Sequence, residues 1–465
     1  MAAAAAAAEC VVDAALERAL HTLEAVAGVG GVLSLAGLPA VRDDDVLFSS
    51  DTCSIRVLEA DDSAVLKKVR ERFVASGMWV ARRQADDQIA AIDYESLAGV
   101  QDVLEEHDVS LRDVRITQEY AVVGGDYPRA PPEQQDEDYE DEEEEENVSM
   151  SSGEEEGEEE EEEAEGEDAA AALDKPPRIE LSEFFLEAAV GRVMNRALLD
   201  CGMTPHVIRT RDCFAHEGRG YLVLDRADGC LSDALQDRME GVRVTPEDVA
   251  GVYVQVLHAL QVAQNVLSLK HHDLHTNNVF LKRLRPGDTW RGANLAAATH
   301  FKYMVNDTPL YVPNTTGCIP WIADYGFCSL IAPHSGVRLE RADLGAFGVT
   351  SPGSNTQWGD WSPELRGCRG YDAQVLVGDA GCTLLRKRLR LAKSAKLRAL
   401  HSRMSAALGW NPRKPAGRPH VVSDVPPGHV LHAVFMDAPA PWYDFKSKPP
   451  AGARIVDMSE LRDSP

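Results

Sequence analysis

Apolar residues recur at helical spacing over 10–28, where Val11, Val12, Ala15, Leu16, Leu20, Leu23 and Val26 cover one face before glycines and a proline break the pattern. Ser54 to Leu58 then reads as a strand. Asp61 to Ala75 predicts a helix, with Val65, Leu66, Val69 and Phe73 on one side and Gly77 as its stop. Met78 to Arg83 and Ile89 to Tyr94 suggest two further strands and Glu95 to His107 a helix, which makes roughly 40–125 a small α+β module. After a long polar interruption, Leu181 to Leu199 predicts an amphipathic helix, and Val207 to Phe214 with Gly220 to Leu224 predict two strands. Thr245-Pro246-Glu247-Asp248 is a helix start, with Thr as N-cap and Pro at the first helical position. The helix it opens runs to about Leu267 on an apolar face of Val249, Val252, Val256, Leu260 and Val266, and it delivers the chain to His271. Phe301 to Asn314 alternates around Asn306-Asp307, the pattern of a hairpin. In the proline-rich last 50 residues, Val430 to Phe435 is the stretch expected to pack.

Charge changes this picture in one place. The 465-residue chain carries a formal charge of -29, but Asp136 to Asp168 hold 22 of its 76 acidic residues and no Lys or Arg; without them the charge is -7. That run, framed by Pro131-Pro132 and Pro176-Pro177, repels itself and has almost nothing to bury, so disorder is expected there. Ser151 and Ser152 each have Glu three residues downstream, and with Ser149 they read either as targets of an acid-directed kinase or as solvated linker. The nine cysteines form no C-x-x-C pair, which fits a reducing compartment better than a disulfide framework. Met1 and the alanines after it lack the basic flank and apolar run of a signal peptide. No segment reaches about 18 uninterrupted apolar residues, so the expectation is a soluble, intracellular protein without membrane contact.

Chemistry concentrates at residues 271–281, His-His-Asp-Leu-His-Thr-Asn-Asn-Val-Phe-Leu. Phosphoryl transfer needs a base for the acceptor hydroxyl, oxygen ligands for Mg2+ and cations around the phosphates. Asp273 can accept the hydroxyl's hydrogen bond, and Asn278 can bind a metal through its carbonyl, with Leu274 and Val279-Phe280-Leu281 as apolar anchors. A second metal ligand is expected at a strand end before a flexible turn, and Asp324 in Pro320-Trp321-Ile322-Ala323-Asp324-Tyr325-Gly326-Phe327 supplies a hard oxygen donor there.

The H-x-D-L-x-x-x-N loop and the D-Y-G triplet resemble the catalytic loop and D-F-G motif of protein kinases. The hairpin inserted before Asp324 is similar to that of the serine/threonine-type kinases of large nucleocytoplasmic DNA viruses. The resemblance implies an α+β, bilobal protein-kinase-like fold with a divergent N-lobe and a mainly helical C-lobe. Carried over, Asp273 is the base, Asn278 and Asp324 hold Mg2+, and His271 supports the loop. Glu187 falls where kinases carry the glutamate that pairs with the ATP-binding lysine. Tyr221 to Leu224, with Asp225, Gly229 and Leu231, falls at the adenine-contacting strand and hinge, and Tyr371-Asp372 where a C-lobe helix begins. Domains are expected at 1–130 (an α+β region, either remodelled N-lobe or separate module), 131–177 (acidic insert), 178–410 (kinase-like) and 411–465 (proline-rich).

The same resemblance exposes departures. No G-x-G-x-x-G loop is present, although Thr52-Cys53-Ser54-Ile55 can stand as a glycine-poor phosphate loop. For the lysine, Ala64-Val65-Leu66-Lys67 spells V-A-I-K loosely but in a segment of helical periodicity; Tyr120-Ala121-Val122-Val123 has valine in its place, and Lys175 lies outside any strand. Trp361-Ser362-Pro363-Glu364 resembles A-P-E, and His275 replaces the lysine common in serine/threonine kinases. The implied function is an ATP- and Mg2+-dependent protein kinase acting on a protein hydroxyl of Ser/Thr type. A small-molecule phosphotransferase of the aminoglycoside or choline kinase type and a pseudokinase scaffold stay open. The basic stretch Thr383 to Arg403 is either a solvated helix face or a surface that docks the acidic insert in cis or another acidic partner in trans; no nucleic-acid partner is expected.

Overall fold

The computed structural model describes residues 11–20, 41–49, 53–58, 61–72, 78–83, 92–94, 114–119, 178–216, 219–333, 335–341, 368–386, 389–409, 424–437 and 442–458. The end of the first expected helix (21–28), the helix expected over Glu95 to His107, the strand-like Tyr120 to Val123, the acidic run with its serines, Lys175 and the Trp361 to Glu364 segment lie outside them. The fold is α+β.

Residues 61–72 correct the helical expectation, and 73–75 lie outside the described residues. Ala64–Arg72 is a strand, paired antiparallel with Cys53–Leu58 on one side and with Arg219–Asp225 on the other. With Val41–Ser49 and Thr210–His216 at the edges, these make a five-stranded antiparallel sheet. Both faces of the Ala64 strand are covered. Leu66 packs with Leu58, Phe214 and Tyr221, while Val65 points into the main core, so four consecutive residues from Ala64 to Lys67 are buried and the two-residue alternation disappears. Cys53 to Ile55 belong to a strand, and Ser54 pairs with Ser49, so these three residues of the expected phosphate loop are not a loop; Thr52 lies outside the described residues.

A second sheet orders Leu330–Ile331, Arg338–Arg341, Arg178–Leu181, Val114–Glu119, Met78–Arg83 and Ile92–Tyr94. Arg178–Leu181 pairs in parallel with strands on both sides, Val114–Glu119 and Arg338–Arg341. Both sheets therefore join strands from before the acidic run to strands from after it.

The helix Glu183–Met194 follows and continues as a wider π turn over Asn195–Asp200, where Asn195 Nδ2 donates to the Thr210 carbonyl at 2.6 Å. The helix Pro246–Leu267 starts at a capping box: Thr245 Oγ1 accepts from the Asp248 amide and Asp248 accepts from the Thr245 amide. It is buried nearly all round, and Gly251 lets the hairpin approach, since a Cβ there would meet Val312 at 2.9 Å. That hairpin, His300–Val305 with Thr308–Pro313, turns through Asn306 and Asp307 at positive φ (46° and 61°), as a two-residue primed turn requires. His206 fastens its base, with Nε2 and the Tyr303 hydroxyl 2.8 Å apart and Nδ1 donating to the Pro320 carbonyl.

The C-terminal stretch packs more widely than expected. Beyond Val430 to Phe435, Tyr443, Phe445, Val456 and Met458 are buried, and Ile455–Asp457 adds a parallel strand to His300–Val305. Proline richness hides this because the packing is carried by isolated aromatics. In the basic stretch, Arg390 pairs with Asp237 (2.8 Å), Lys396 with Glu247 (2.5 Å), and Arg403 donates to the Tyr443 hydroxyl and the Val434 carbonyl. Those cations are engaged locally. Among the described residues no helix is long and apolar enough to cross a membrane.

Candidate functional site

The loop at 271–278 is built from its backbone outward. The long helix ends at Ser268 in the left-handed conformation (φ 47°), and Lys270 then bridges Ser329 in both directions at 2.8 Å. Asp372, one residue into the helix Tyr371–Arg386, accepts from the amides of His271 and His272, each at 2.8 Å. This buried carboxylate holds His272 at a positive φ of 64°, a conformation that costs free energy unless its surroundings impose it. Asp379, further along the same helix, accepts from the Thr276 amide (2.8 Å) and hydroxyl (2.5 Å).

Asp273 is thereby fixed at the loop's crest. Asn278 Nδ2 donates to the Asp273 carbonyl at 2.8 Å and to its Oδ2 at 3.3 Å. With the amide nitrogen so committed, the amide oxygen is the end of Asn278 suited to a cation. His275 Nε2 lies 3.5 Å from Asp273 Oδ2, and its Nδ1 accepts from the Asn277 amide at 3.2 Å. Burial opposes charging this imidazole, yet the neighbouring Asp273 carboxylate raises its pKa above the ordinary histidine value.

Strand pairing brings Asp324 to the same place. Val279–Arg283 runs antiparallel to Cys318–Ile322 with Val279 opposite Ile322, and the Ala323 amide donates to the Asn278 carbonyl at 3.0 Å. His271 Nε2 donates to the Ala323 carbonyl at 2.9 Å. Tyr325 is fully buried, its ring 6.0 Å from that of His271 and its hydroxyl donating to the Ile322 carbonyl. Asp324 itself stands at φ 67°, left-handed for a non-glycine residue, with its side chain 38% exposed.

Lys67 closes the arrangement. Its Nζ donates to both carboxylate oxygens of Glu187 at 2.8 Å and to Asp324 Oδ1 at 2.9 Å. One ammonium thus joins the Ala64–Arg72 strand, the Glu183–Met194 helix and the Asp324 turn. Burial pushes the Glu187 carboxyl up to about 7 in spite of the Lys67 ammonium, and the negative charge of Asp324 pushes it the same way. Packing also works against the ionised form of Asp324, but Lys67 outweighs it and holds Asp324 below the usual carboxylate range.

Lys67, Glu187 and Asp324 are thus in direct contact, and Asp273, Asn278 and His271 join Asp324 through the strand pair. Sequence reasoning named Asp372 only as a helix start and passed over Asp379; their work is done through backbone amides a hundred residues upstream, for which no local signal exists. A separate cavity of about 320 Å³ is lined by Arg209, Arg211, Asp225, Lys282 and Trp321, among others, and touches none of these groups. Arg209 and Arg211 are paired there with Asp200, Asp61 and Asp225.

Sequence comparison finds relatives among viral proteins. The "Putative serine/threonine-protein kinase 019R" of Frog virus 3 (isolate Goorha) is 28% identical over 165 residues, covering 32% of this chain and 18% of that protein. The "Probable kinase 098L" of Invertebrate iridescent virus 3 is 32% identical over 92 residues, covering 20% of this chain and 16% of that protein. The chain resembles the protein-kinase-like superfamily. It spans less than a fifth of the length of either relative. No family model matches it. A solved structure of the CAK complex from Chaetomium thermophilum bound to ATP-gamma-S overlaps 74% of this chain and 67% of that one, at 9% identity and a TM-score of 0.27.

Proposed function

We propose that the chain is an ATP-dependent protein kinase that transfers a γ-phosphate to a protein hydroxyl of Ser/Thr type. The observation that carries this is Lys67, whose ammonium binds Glu187 and Asp324 together while Asp273 and Asn278 stand on the adjoining loop. A nucleotide-anchoring cation, two oxygen donors for Mg2+ and a base for the acceptor are what phosphoryl transfer asks of a protein. The likeness to the two viral kinases supports the same reading.

In this reading the fold is bilobal. The five-stranded sheet with the Glu187 helix forms the nucleotide-facing lobe, drawn from 41–72 and 178–225 across the acidic insert, and the helices from Pro246 onward form the other. Glu187 holds Lys67 extended so that its ammonium meets the α- and β-phosphates. Asp324 and the amide oxygen of Asn278 are hard oxygen donors and fit Mg2+. Mg2+, when bound, neutralises charge on the β- and γ-phosphates. Asp324 is half-exposed and can turn from Lys67 to the metal without breaking buried packing. Asp273 orients the acceptor hydroxyl, whose oxygen bonds to the γ-phosphorus as the bond from that phosphorus to the β–γ bridging oxygen breaks; ADP leaves with the electron pair, and the hydroxyl proton passes to Asp273. His271 acts through its bond to the Ala323 carbonyl, keeping the two metal-binding segments in register.

The test offers ATP labelled on its γ-phosphate together with a mixed protein substrate and with small alcohols. Label in protein supports the proposal, and label confined to the alcohols overturns it in favour of a small-molecule phosphotransferase. Failure of Mg-ATP to raise the melting temperature of the native protein would favour a scaffold.

A further inference from the structure

The segment that follows Asp324 is tied to the Glu187 helix by a strand pair, an ion pair and a close approach. Arg338–Arg341 pairs in parallel with Arg178–Leu181, the strand that leads directly into that helix, in the register Leu339 to Ile179 and Arg341 to Leu181. Arg341, with its side chain 8% exposed, places Nη2 at 3.3 Å from Glu183 Oε2, and Glu183 is the first residue of the helix, one turn before Glu187. The same guanidinium lies 4.2 Å from the centroid of the Phe327 ring, three residues after Asp324. The Gly326 backbone also approaches the Glu183 side chain closely: a Cβ on Gly326 would meet Glu183 Cγ at 2.9 Å.

We propose that Arg341 is a positioning residue that locks the helix carrying Glu187 to the turn carrying Asp324, and so sets the geometry of the Lys67 cluster from outside it. The proposal rests on the kinase reading of that cluster. Arg341 acts through Glu183 and Phe327. A planar guanidinium suits the position, because it can pair with a carboxylate at its edge while its face covers a ring. An ammonium can do the first but not hold the second in the same geometry. The parallel strand pair gives the lock a backbone component, so the segment after Asp324 and the helix must move as one body or separate together.

The experiment uses the full chain, native and as Arg341→Ala, Arg341→Lys, Glu183→Gln and the Arg341→Ala/Glu183→Gln double variant. Initial rates against ATP and against protein acceptor are measured alongside amide hydrogen exchange over 183–194. Arg341→Ala is expected to lower kcat/KM for ATP by about tenfold to a hundredfold, the range that a misplacement near 1 Å produces. KM for the acceptor should stay unchanged, and amides of 183–194 should exchange faster while those of 246–267 do not. Arg341→Lys should recover part of the loss, and the double variant should be no worse than Arg341→Ala. Unchanged kinetics and exchange in Arg341→Ala would overturn the proposal, as would exchange accelerated equally in both helices, which is general destabilisation. Exchange reads the lock without turnover: a native protein that transfers no phosphate, yet whose 183–194 amides respond selectively to Arg341→Ala, loses the kinase reading and keeps the lock.

Discussion

Replacing Lys67 by Met takes the ammonium from between two carboxylates of unequal exposure, and the cost follows from that inequality. The Glu187 side chain is 3% exposed and is left as a buried charge without its cation, a loss worth about 3–5 kcal/mol. Asp324, 38% exposed, is rehydrated when its contact goes, and that contact is worth at most about 1 kcal/mol. Glu187→Gln removes the buried charge and leaves Lys67 with Asp324. The double variant leaves no buried charge without a partner, so it should cost less than Lys67→Met alone and fall about 2–4 kcal/mol below the sum of the two single costs. Urea denaturation of the four proteins at pH 8, where Glu187 is mostly ionised, supplies the cycle. Additivity within about 0.5 kcal/mol, as for independent sites, would refute the argument, because it would mean that Lys67 and Glu187 do not meet.

The raised Glu187 pKa has a sign of its own. Its folded value of about 7 exceeds the ordinary 4.5, so its contribution to stability is full below about 4.5 and is lost as pH rises through 7; Glu187→Gln should flatten that part of the stability profile, and an unchanged slope would count against the burial argument. Asp372→Ala strands two buried amides, those of His271 and His272, and should destabilise by about 2–4 kcal/mol while lowering kcat more than KM for ATP; circular dichroism melts and steady-state kinetics check both.

How much of this was legible beforehand depends on whether the cause is local. The Pro246–Leu267 helix carries its own start signal in Thr245, Pro246 and Asp248, and the Asn306-Asp307 turn advertises its hairpin, so both were readable. The Lys67 strand was not. Both its faces are covered, and one of its two sheet neighbours, Arg219–Asp225, lies about 150 residues downstream. Val65, Leu66 and Val69 consequently mimic a helical stripe. Glu187 is likewise 120 residues from its partner, and neither residue carries a mark of the other. The proposed acceptor side is legible in sequence because Asp273 and Asn278 sit five residues apart in one loop; the proposed nucleotide side depends on a sheet assembled across the acidic run.

In the proposed kinase Asp273 acts on the acceptor while Lys67 and Asp324 act on the nucleotide, and a single comparison separates the two jobs. Mg-ATP affinity and γ-phosphate transfer to protein are measured for the native chain and for Asp273→Asn. The account predicts affinities within about twofold of each other and a transfer rate lowered by about 10²–10⁴-fold in the variant. Equal transfer by the two proteins, or a native chain that binds no Mg-ATP, would contradict it.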